Sequence, residues 1–474
     1  MTTGADRPPS AWSTASNRGA LAALATAALA YSFMQNLVLP ALPTFSSAFH
    51  ASPTEVSWIA SGFLVSAAVS MAIVSRLGDR HGRVLVLTLA TLVFGIATLA
   101  AGFATNLPML IACRIVQGVG GAIIPLSFSI ASDQITAARG GFGIGFISSM
   151  LGIGSVVGFV LSGLILEYQE WRWLFFIGFI PILFALALLP RLPRSPKSAS
   201  GPPDWIGGLF LSAGLAATML AIAKGNSWGW TSTQLIALLA CGVITLAAWT
   251  QIERFVSSPM VNMSLFGRAD LVLLNISTFF IGYAMFAVYT ILPGLLAADS
   301  TSTGYGFGAT PLEIGIFFVP VSTAVVVGGM AAGSARRPGP LSILRIGILC
   351  LGSGLTLLAV DHSERLTAYL WMALVGAGVG SCISVLARLV VTASDPSETG
   401  ISIGLNTAIR TVGAAVAVQV GAAILEGSAL NTGLPTESGY SIALLTATGG
   451  AIIALAITFI LGRMQVSSPY KIPA

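Results

Sequence analysis

Three arginines stand inside long apolar runs: Arg114, Arg388 and Arg410. A guanidinium stays charged at every physiological pH and is costly in hydrocarbon. An arginine within a membrane-spanning segment therefore pairs, snorkels to the interface or serves a ligand. Arg114 lies in Ala112-Cys113-Arg114-Ile115-Val116-Gln117-Gly118, with Gln117 one helical turn away. Arg410 closes Leu405-Asn406-Thr407-Ala408-Ile409-Arg410, with Asn406 one turn earlier. None of the 17 Asp and Glu residues falls in the middle of an apolar run. Two unmatched arginines imply a cationic cavity that attracts an anionic or strongly hydrogen-bond-accepting group. The alternative is that backbone carbonyls and water satisfy both.

A second cluster could act as a reversible lock. Ser75-Arg76-Leu77-Gly78-Asp79-Arg80-His81-Gly82-Arg83-Val84 separates two apolar runs. Gly82 supplies the backbone freedom a tight turn needs. Asp79 suits the positive amino end of a helix in the other half of the chain, the one beginning near Gly400. Arg83 is placed to pair with Asp133. Such contacts are weak enough to break and re-form, which suits a gate. The plain alternative is a basic turn held on one side of a membrane.

A third pattern is a glycine ladder, Gly145, Gly154, Gly158 and Gly163. Small residues at these spacings let helices approach closely. Phe33, Met34, Gln35, Asn36, Tyr283 and Tyr289 are further candidates for a substrate cavity. Phe279, Phe280, Met285 and Phe286 could form a greasy wall. Each of these residue types also serves as ordinary helix-packing material.

The elements that position these residues follow from composition. The 474-residue chain is 55% hydrophobic and 8% charged, against about 25% charged in soluble domains. Its mean hydropathy is +0.89. So little charge cannot cover a water-soluble surface, which excludes soluble, disordered and nucleic-acid-binding classes. Runs of roughly 20 apolar residues mark spanning helices. Fourteen are found, at 19–41, 54–76, 84–104, 108–131, 141–166, 172–190, 205–224, 233–251, 271–297, 311–333, 341–360, 366–390, 400–425 and 440–462. The hairpin at 205–251 is the least secure; were it to lie on the membrane surface, the total would be twelve. The net charge of +5 is topological, because 16 of the 22 Lys and Arg fall in alternate loops that this reading makes cytoplasmic. An even number of spans then puts both termini in the cytoplasm. Residues 1–18 are expected to be a cytoplasmic tail, with a start-transfer helix after it rather than a cleaved signal. Cys113, Cys241, Cys350 and Cys382 lie in apolar runs and read as small packing residues.

The chain thus divides into a tail (1–18), six spans (19–190), a linker (191–204), a two-span insert (205–251), a second linker (252–270), six more spans (271–462) and a tail (463–474). The halves show a faint repeat. Gly118-Val119-Gly120-Gly121 is matched by Gly378-Val379-Gly380-Ser381 about 260 positions later, and Gly154 by Gly413 at an offset of 259. Six-plus-six spans with an internal repeat fit a transporter of two pseudo-symmetric bundles.

These strings carry a resemblance. Asp79-Arg80-x-Gly82-Arg83 between spans two and three resembles the signature loop of the major facilitator superfamily, with Ser75 and Val84 replacing its first Gly and last basic residue. Arg114-x-x-Gln117-Gly118 resembles the pattern associated with proton transfer in that family's antiporters. The span-five glycines resemble its antiporter signature, with Phe159 where the family has Pro and Ser162 where it has Gly. Trp58-Ile59-Ala60-Ser61, Asp204-Trp205-Ile206-Gly207, Trp228-Gly229-Trp230 and Leu405–Arg410 look like the fourteen-span drug:proton antiporter branch. The resemblance covers nearly the whole chain. It implies an all-α membrane protein of the major facilitator fold: two six-helix bundles plus a two-helix insert, in the cell membrane, exporting a hydrophobic or amphipathic small molecule. It also implies proton coupling, with Arg114, Gln117, Arg410 and Asn406 around the coupling cavity. One departure bears on that last point. The branch usually carries an Asp in span one, and the equivalent position here is Met34. His50, His81 and His362 all map to loops and do not replace it.

The leading expectation is a monomeric secondary exporter in lipid, with a small-molecule substrate, protons as the implied coupling ion, no nucleic-acid partner, no metal and no cofactor. The alternatives are an uncoupled facilitator or flippase for an anionic or lipid-like substrate, and a transport-dead receptor or scaffold. An enzyme is not expected: there is no Walker loop, no HExxH and no Ser-His-Asp set that a span would hold together.

Overall fold

The computed structural model describes residues 14–134, 137–193, 204–256, 268–335, 339–393, 399–429 and 434–467. Among the described residues there are fourteen helices long and apolar enough to cross a membrane. We number them α1 (Gly19–Phe49), α2 (Pro53–His81), α3 (Arg83–Gly102), α4 (Leu107–Ala131), α5 (Ala137–Tyr168), α6 (Arg172–Arg191), α7 (Trp205–Trp228), α8 (Thr233–Phe255), α9 (Ala269–Ala297), α10 (Pro311–Ser334), α11 (Pro340–Val360), α12 (Arg365–Ala393), α13 (Thr399–Gly427) and α14 (Glu437–Ser467). Both helices of the 205–251 hairpin are as long and apolar as the rest, so the twelve-span alternative is not needed.

The two sets of six pack by one rule. In the first, α1 packs on α5 and α6, α2 on α4, and α3 on α4 and α6; in the second, α9 packs on α13 and α14, α10 on α12, and α11 on α12 and α14. Each pair maps onto its counterpart by adding eight to the helix number. The halves meet along two seams, α2 with α13 and α5 with α10, which the same mapping exchanges. The insert helices α7 and α8 pack on each other, and α7 also rests on α2 and α13, beside the first seam.

Glycine sets these distances, as expected where lipid supplies no hydrophobic drive for helices to associate. A β-carbon at Gly154 would stand 2.9 Å from the Leu29 carbonyl oxygen of α1; one at Gly413 would stand 2.1 Å from the Phe279 carbonyl oxygen of α9. Gly154 and Gly413 are the pair that the sequence repeat aligned. Likewise Gly118 and Gly121 press on Ser66 and Ala67 of α2, while Gly376 and Gly380 press on Val321 and Val325 of α10.

The two halves also start their second helix alike. Ser52-Pro53-Thr54-Glu55 opens α2 and Thr310-Pro311-Leu312-Glu313 opens α10, each a complete capping box with Pro in the first turn. The hydroxyl accepts from the third helical N–H, and the Glu carboxylate accepts from the cap N–H.

Candidate functional site

The structure separates the two ends of the molecule. One carries the Gly82 joint between α2 and α3. The other carries the two capping boxes and the last turn of α13 with Glu426.

At the first end, α2 continues to His81, further than the sequence suggested. Asp79 and Arg80 are therefore helical, and the break falls at Gly82 alone. Gly82 has φ 104° and ψ 122°, a conformation open only to glycine. Across the joint Arg83 Nε donates to Asp79 Oδ1 at 2.8 Å. The pair therefore staples the joint, because a one-residue break places residues i and i+4 side by side. The expected contact of Asp79 with the amino end of α13 falls on residues outside those described. The side chain of Asp133 and the surroundings of Gly400 lie outside the described residues, as do those of Gly145. Arg80 is exposed. Gly82→Ala is expected to cost about 1–3 kcal/mol of stability, read as a drop in thermal unfolding temperature. Asn is not expected to rescue it, because the ψ of 122° lies outside the left-handed region that Asn tolerates.

At the second end, both seams are closed by polar contacts between the halves. On the α2/α13 seam the Glu426 carboxylate accepts from Thr54 N at 3.2 Å and from Thr54 Oγ1. Two turns deeper, Gln419 is fully buried. Its Nε2 donates to Ser61 Oγ at 2.6 Å, and its Oε1 accepts from Ser57 Oγ at 3.0 Å. On the α5/α10 seam, Leu312 N donates to Glu167 Oε2 at 3.3 Å. These are equivalent contacts. Glu167 and Glu426 are 259 positions apart, Thr54 and Leu312 are 258 apart, and each carboxylate meets the first N–H of a helix from the opposite half, the one that follows its opening Pro. A carboxylate there gains from the helix dipole as well as the hydrogen bond.

The α5/α10 seam is also tight. A β-carbon at Gly163 would lie 2.4 Å from the Pro311 carbonyl oxygen. Phe159 is fully buried, with its ring 4.6 Å from that of Phe318 and 5.4 Å from that of Tyr289. Where the family signature has Pro, this chain thus uses a ring that stacks across the seam, and α5 remains a helix from Ala137 to Tyr168. Phe159→Leu keeps the apolar bulk and loses the stack. It is expected to cost about 1 kcal/mol of stability, read as a drop in thermal unfolding temperature.

Between the ends lie the arginines, and the structure treats them differently. Arg114 is 1% exposed. Its Nε donates to the Ile59 carbonyl at 3.0 Å, its Nη1 donates to Gln117 Oε1 at 2.6 Å, and its guanidinium lies 4.2 Å from the Phe63 ring centre. Gln117 in turn donates to Thr98 Oγ1 at 3.2 Å. Arg114 is therefore enclosed by carbonyl, amide and ring, which corrects the expectation of two arginines open to one cavity. Arg388 is exposed near the end of α12, within reach of the Ala335 carbonyl at 3.4 Å. Arg410 is half-buried, and among the described residues no group accepts a hydrogen bond from it.

Most of the other cavity candidates prove to be packing residues. Met34 is fully buried against Gly178 of α6; Phe33 rests on Gly154 and Gly158 of α5. Asn36 bonds back to the Ser32 carbonyl at 2.7 Å. Asn406 donates to Asn275 and Thr278 of α9 at 2.9 and 2.8 Å. Tyr283 reaches Thr446 of α14 at 3.3 Å, and Tyr289 belongs to the seam stack. Asn36 is consumed within α1, and Asn406 and Tyr283 in holding α9 to α13 and α14. Gln35 and Arg410 remain partly accessible. His362 lies in the loop between α11 and α12, as expected, and is buried there, with its ring nitrogens 2.9 Å from the Leu358 carbonyl and 3.1 Å from Glu437.

The sequence reading missed Thr54, Ser57, Ser61, Glu167, Gln419 and Glu426, and it missed Tyr31. The S/T-P-x-E repeat was a usable signal for the clasp ends; nothing marked Tyr31.

Comparisons with known proteins agree with this architecture. The chain is 26% identical to the tetracenomycin C resistance and export protein of Streptomyces glaucescens over 413 residues, 84% of this chain and 74% of that one. It is 24% identical to a multidrug transporter protein of Bacillus subtilis over 384 residues, 79% and 69% of the two chains. It is 27% identical to an uncharacterized MFS-type transporter of Mycobacterium tuberculosis, spanning 59% of that protein's length. In fold it is similar to the nucleoside transporter NupG, with a TM-score of 0.68 at 11% identity, covering 93% of this chain and 99% of that one. It is equally similar to a bacterial homologue of the lysosomal transporter Spinster in an inward-facing conformation, with a TM-score of 0.68 at 14% identity, covering 97% and 100%. The Major Facilitator Superfamily profile matches residues 24–418, and the chain belongs to that family of multi-pass membrane transporters.

Proposed function

We propose that the chain is a secondary exporter of hydrophobic or amphipathic small molecules, working by alternating access between residues 19–190 and 271–462. The observation that carries this reading is the pair of equivalent clasps. Two glutamates, Glu167 and Glu426, each bind the start of a helix in the other half, at the same end of the molecule. Contacts of this kind are strong enough to hold a gate shut and weak enough to open. The charge bias of the loops assigns the clasped end to the outside, so the state described here is closed outward. The resistance and export proteins among the relatives support drug-like substrates. The Asp79–Arg83 staple across Gly82 is suited to resist bending at the inner end as the bundles rock. Arg114, with Gln117, is positioned as the buried polar centre of the first bundle.

The test is susceptibility profiling of cells with and without the protein, followed by uptake into inverted vesicles. Raised tolerance to several apolar compounds, with uptake lost on dissipating the proton gradient, is the expected result. No change in tolerance across a broad panel sinks the reading.

One observation favours an uncoupled facilitator on the same fold. Among the described residues every carboxylate lies at or near a helix end, and span one carries Met34 where an acid is usual. Substrate-driven proton flux in vesicles separates the two: a facilitator moves substrate with none.

A further inference from the structure

We propose that Arg410 is an anion subsite, and that the molecules this protein prefers carry one anionic or strongly accepting group on an apolar body. The inference rests on the exporter reading above and names its substrate class.

The argument begins with what Arg410 lacks. It sits 16 residues before Glu426 on α13, roughly 24 Å from the clasped end at 1.5 Å per residue, which is near mid-membrane. Its backbone is pressed onto α9: a β-carbon at Gly282 would lie 2.2 Å from the Arg410 carbonyl oxygen and 2.9 Å from its Cγ. Gly282 thus gives the stem of the arginine a fixed seat. The guanidinium beyond it finds no hydrogen-bond acceptor among the described residues. It nevertheless keeps accessible surface at that depth.

The neighbours supply no counter-charge. Tyr31 of α1 is 5% exposed and lies within electrostatic range of both Arg410 and Arg114. Gln35, one turn along α1 on the face of Tyr31, also has no partner among the described residues. The contrast with Arg114 decides the assignment. That residue has a carbonyl, an amide oxygen and a ring face, whereas Arg410 has five N–H donors and no acceptor among the described residues. A fixed, unpaired guanidinium at mid-membrane depth is a recognition element for a carboxylate, sulfonate or phenolate.

The experiment uses a matched pair of probes: 8-anilino-1-naphthalenesulfonate, and N-phenyl-1-naphthylamine, which has the same rings without the sulfonate. Binding of each to the full-length protein in nanodiscs is read by fluorescence, with empty discs subtracted. The wild type is expected to bind the sulfonate about tenfold more tightly than the neutral amine. Arg410→Gln is expected to abolish that preference while leaving affinity for the amine within about twofold, and Arg410→Lys to keep part of it. Equal loss of both probes in Arg410→Gln would mean a structural role and overturns the proposal, as does an unchanged sulfonate preference. Should Arg410→Gln fail to fold, the wild type alone decides, because equal or weaker binding of the sulfonate than of the amine is equally fatal. Vesicle uptake of the two probes is measured separately. Transport of neither, with the binding preference intact, refutes the exporter reading and leaves the subsite standing.

Discussion

Replacing Gln419 and Glu426 together by Leu is expected to move the protein from a state closed at the clasped end to one mostly open there. The double substitution removes the carboxylate that Thr54 N and Oγ1 engage and the amide that joins Ser57 and Ser61. Net contributions are about 0.5–1.5 kcal/mol for a neutral hydrogen bond and 1.5–3 for a charged one. With two bonds of each kind, the seam therefore loses about 4–9 kcal/mol. Ser57 and Ser61 are not left stranded, since their hydroxyls also reach Thr54 and Ser57 carbonyls on their own helix at 2.7 and 3.0 Å. The loss is thus a shift in conformational equilibrium of about 100-fold or more rather than misfolding. Spin labels at Thr105 and Ser363, exposed in loops of opposite halves at that end, measure it in a background lacking the four native cysteines. Lengthened distances are expected in the double variant, and a smaller change in Glu167→Gln, whose single contact is 3.3 Å long. Unchanged distances would show that the glycine-lined seam at Gly163, and not the clasp, closes this end.

The second large effect is expected at Arg114. Arg114→Lys should lose transport as fully as Arg114→Ala, by about 100-fold in initial rate. The guanidinium makes two hydrogen bonds in different directions while lying flat on Phe63, and an ammonium cannot reproduce that geometry. Removing either bond leaves a buried acceptor, the Ile59 carbonyl or Gln117 Oε1, without its donor, at about 1–3 kcal/mol each. Vesicle uptake beside a thermal unfolding curve separates the cases. Activity in Arg114→Lys near the wild-type level would mean that only the charge matters there.

Much of this protein was legible in the chain itself. The fourteen spans follow from the length of apolar run needed to cross lipid, because a backbone in hydrocarbon has few other ways to satisfy its hydrogen bonds. The Gly154–Gly413 offset pointed to two related halves, and the two glycines make equivalent contacts, because only glycine admits a carbonyl at 2–3 Å from where a β-carbon would stand. Gly82 was legible as a turn for the same reason.

The fate of the polar residues was not legible. Arg114 and Arg410 look alike in sequence, each one turn from an amide, yet one is enclosed and the other is not. The difference lies in what another helix brings: the Ile59 carbonyl and Phe63 come from α2, 55 and 51 positions away. Asn36, Asn406 and Tyr283 were read as cavity groups and are spent on hydrogen bonds within or between helices, because a buried polar group must find a partner. The clasp was hidden for a related cause. Glu426 and Thr54 are 372 positions apart, and neither is unusual at a helix end. Local pattern determines which segments are helices and where they can touch; which acceptor meets which donor is decided only when the two halves close on each other.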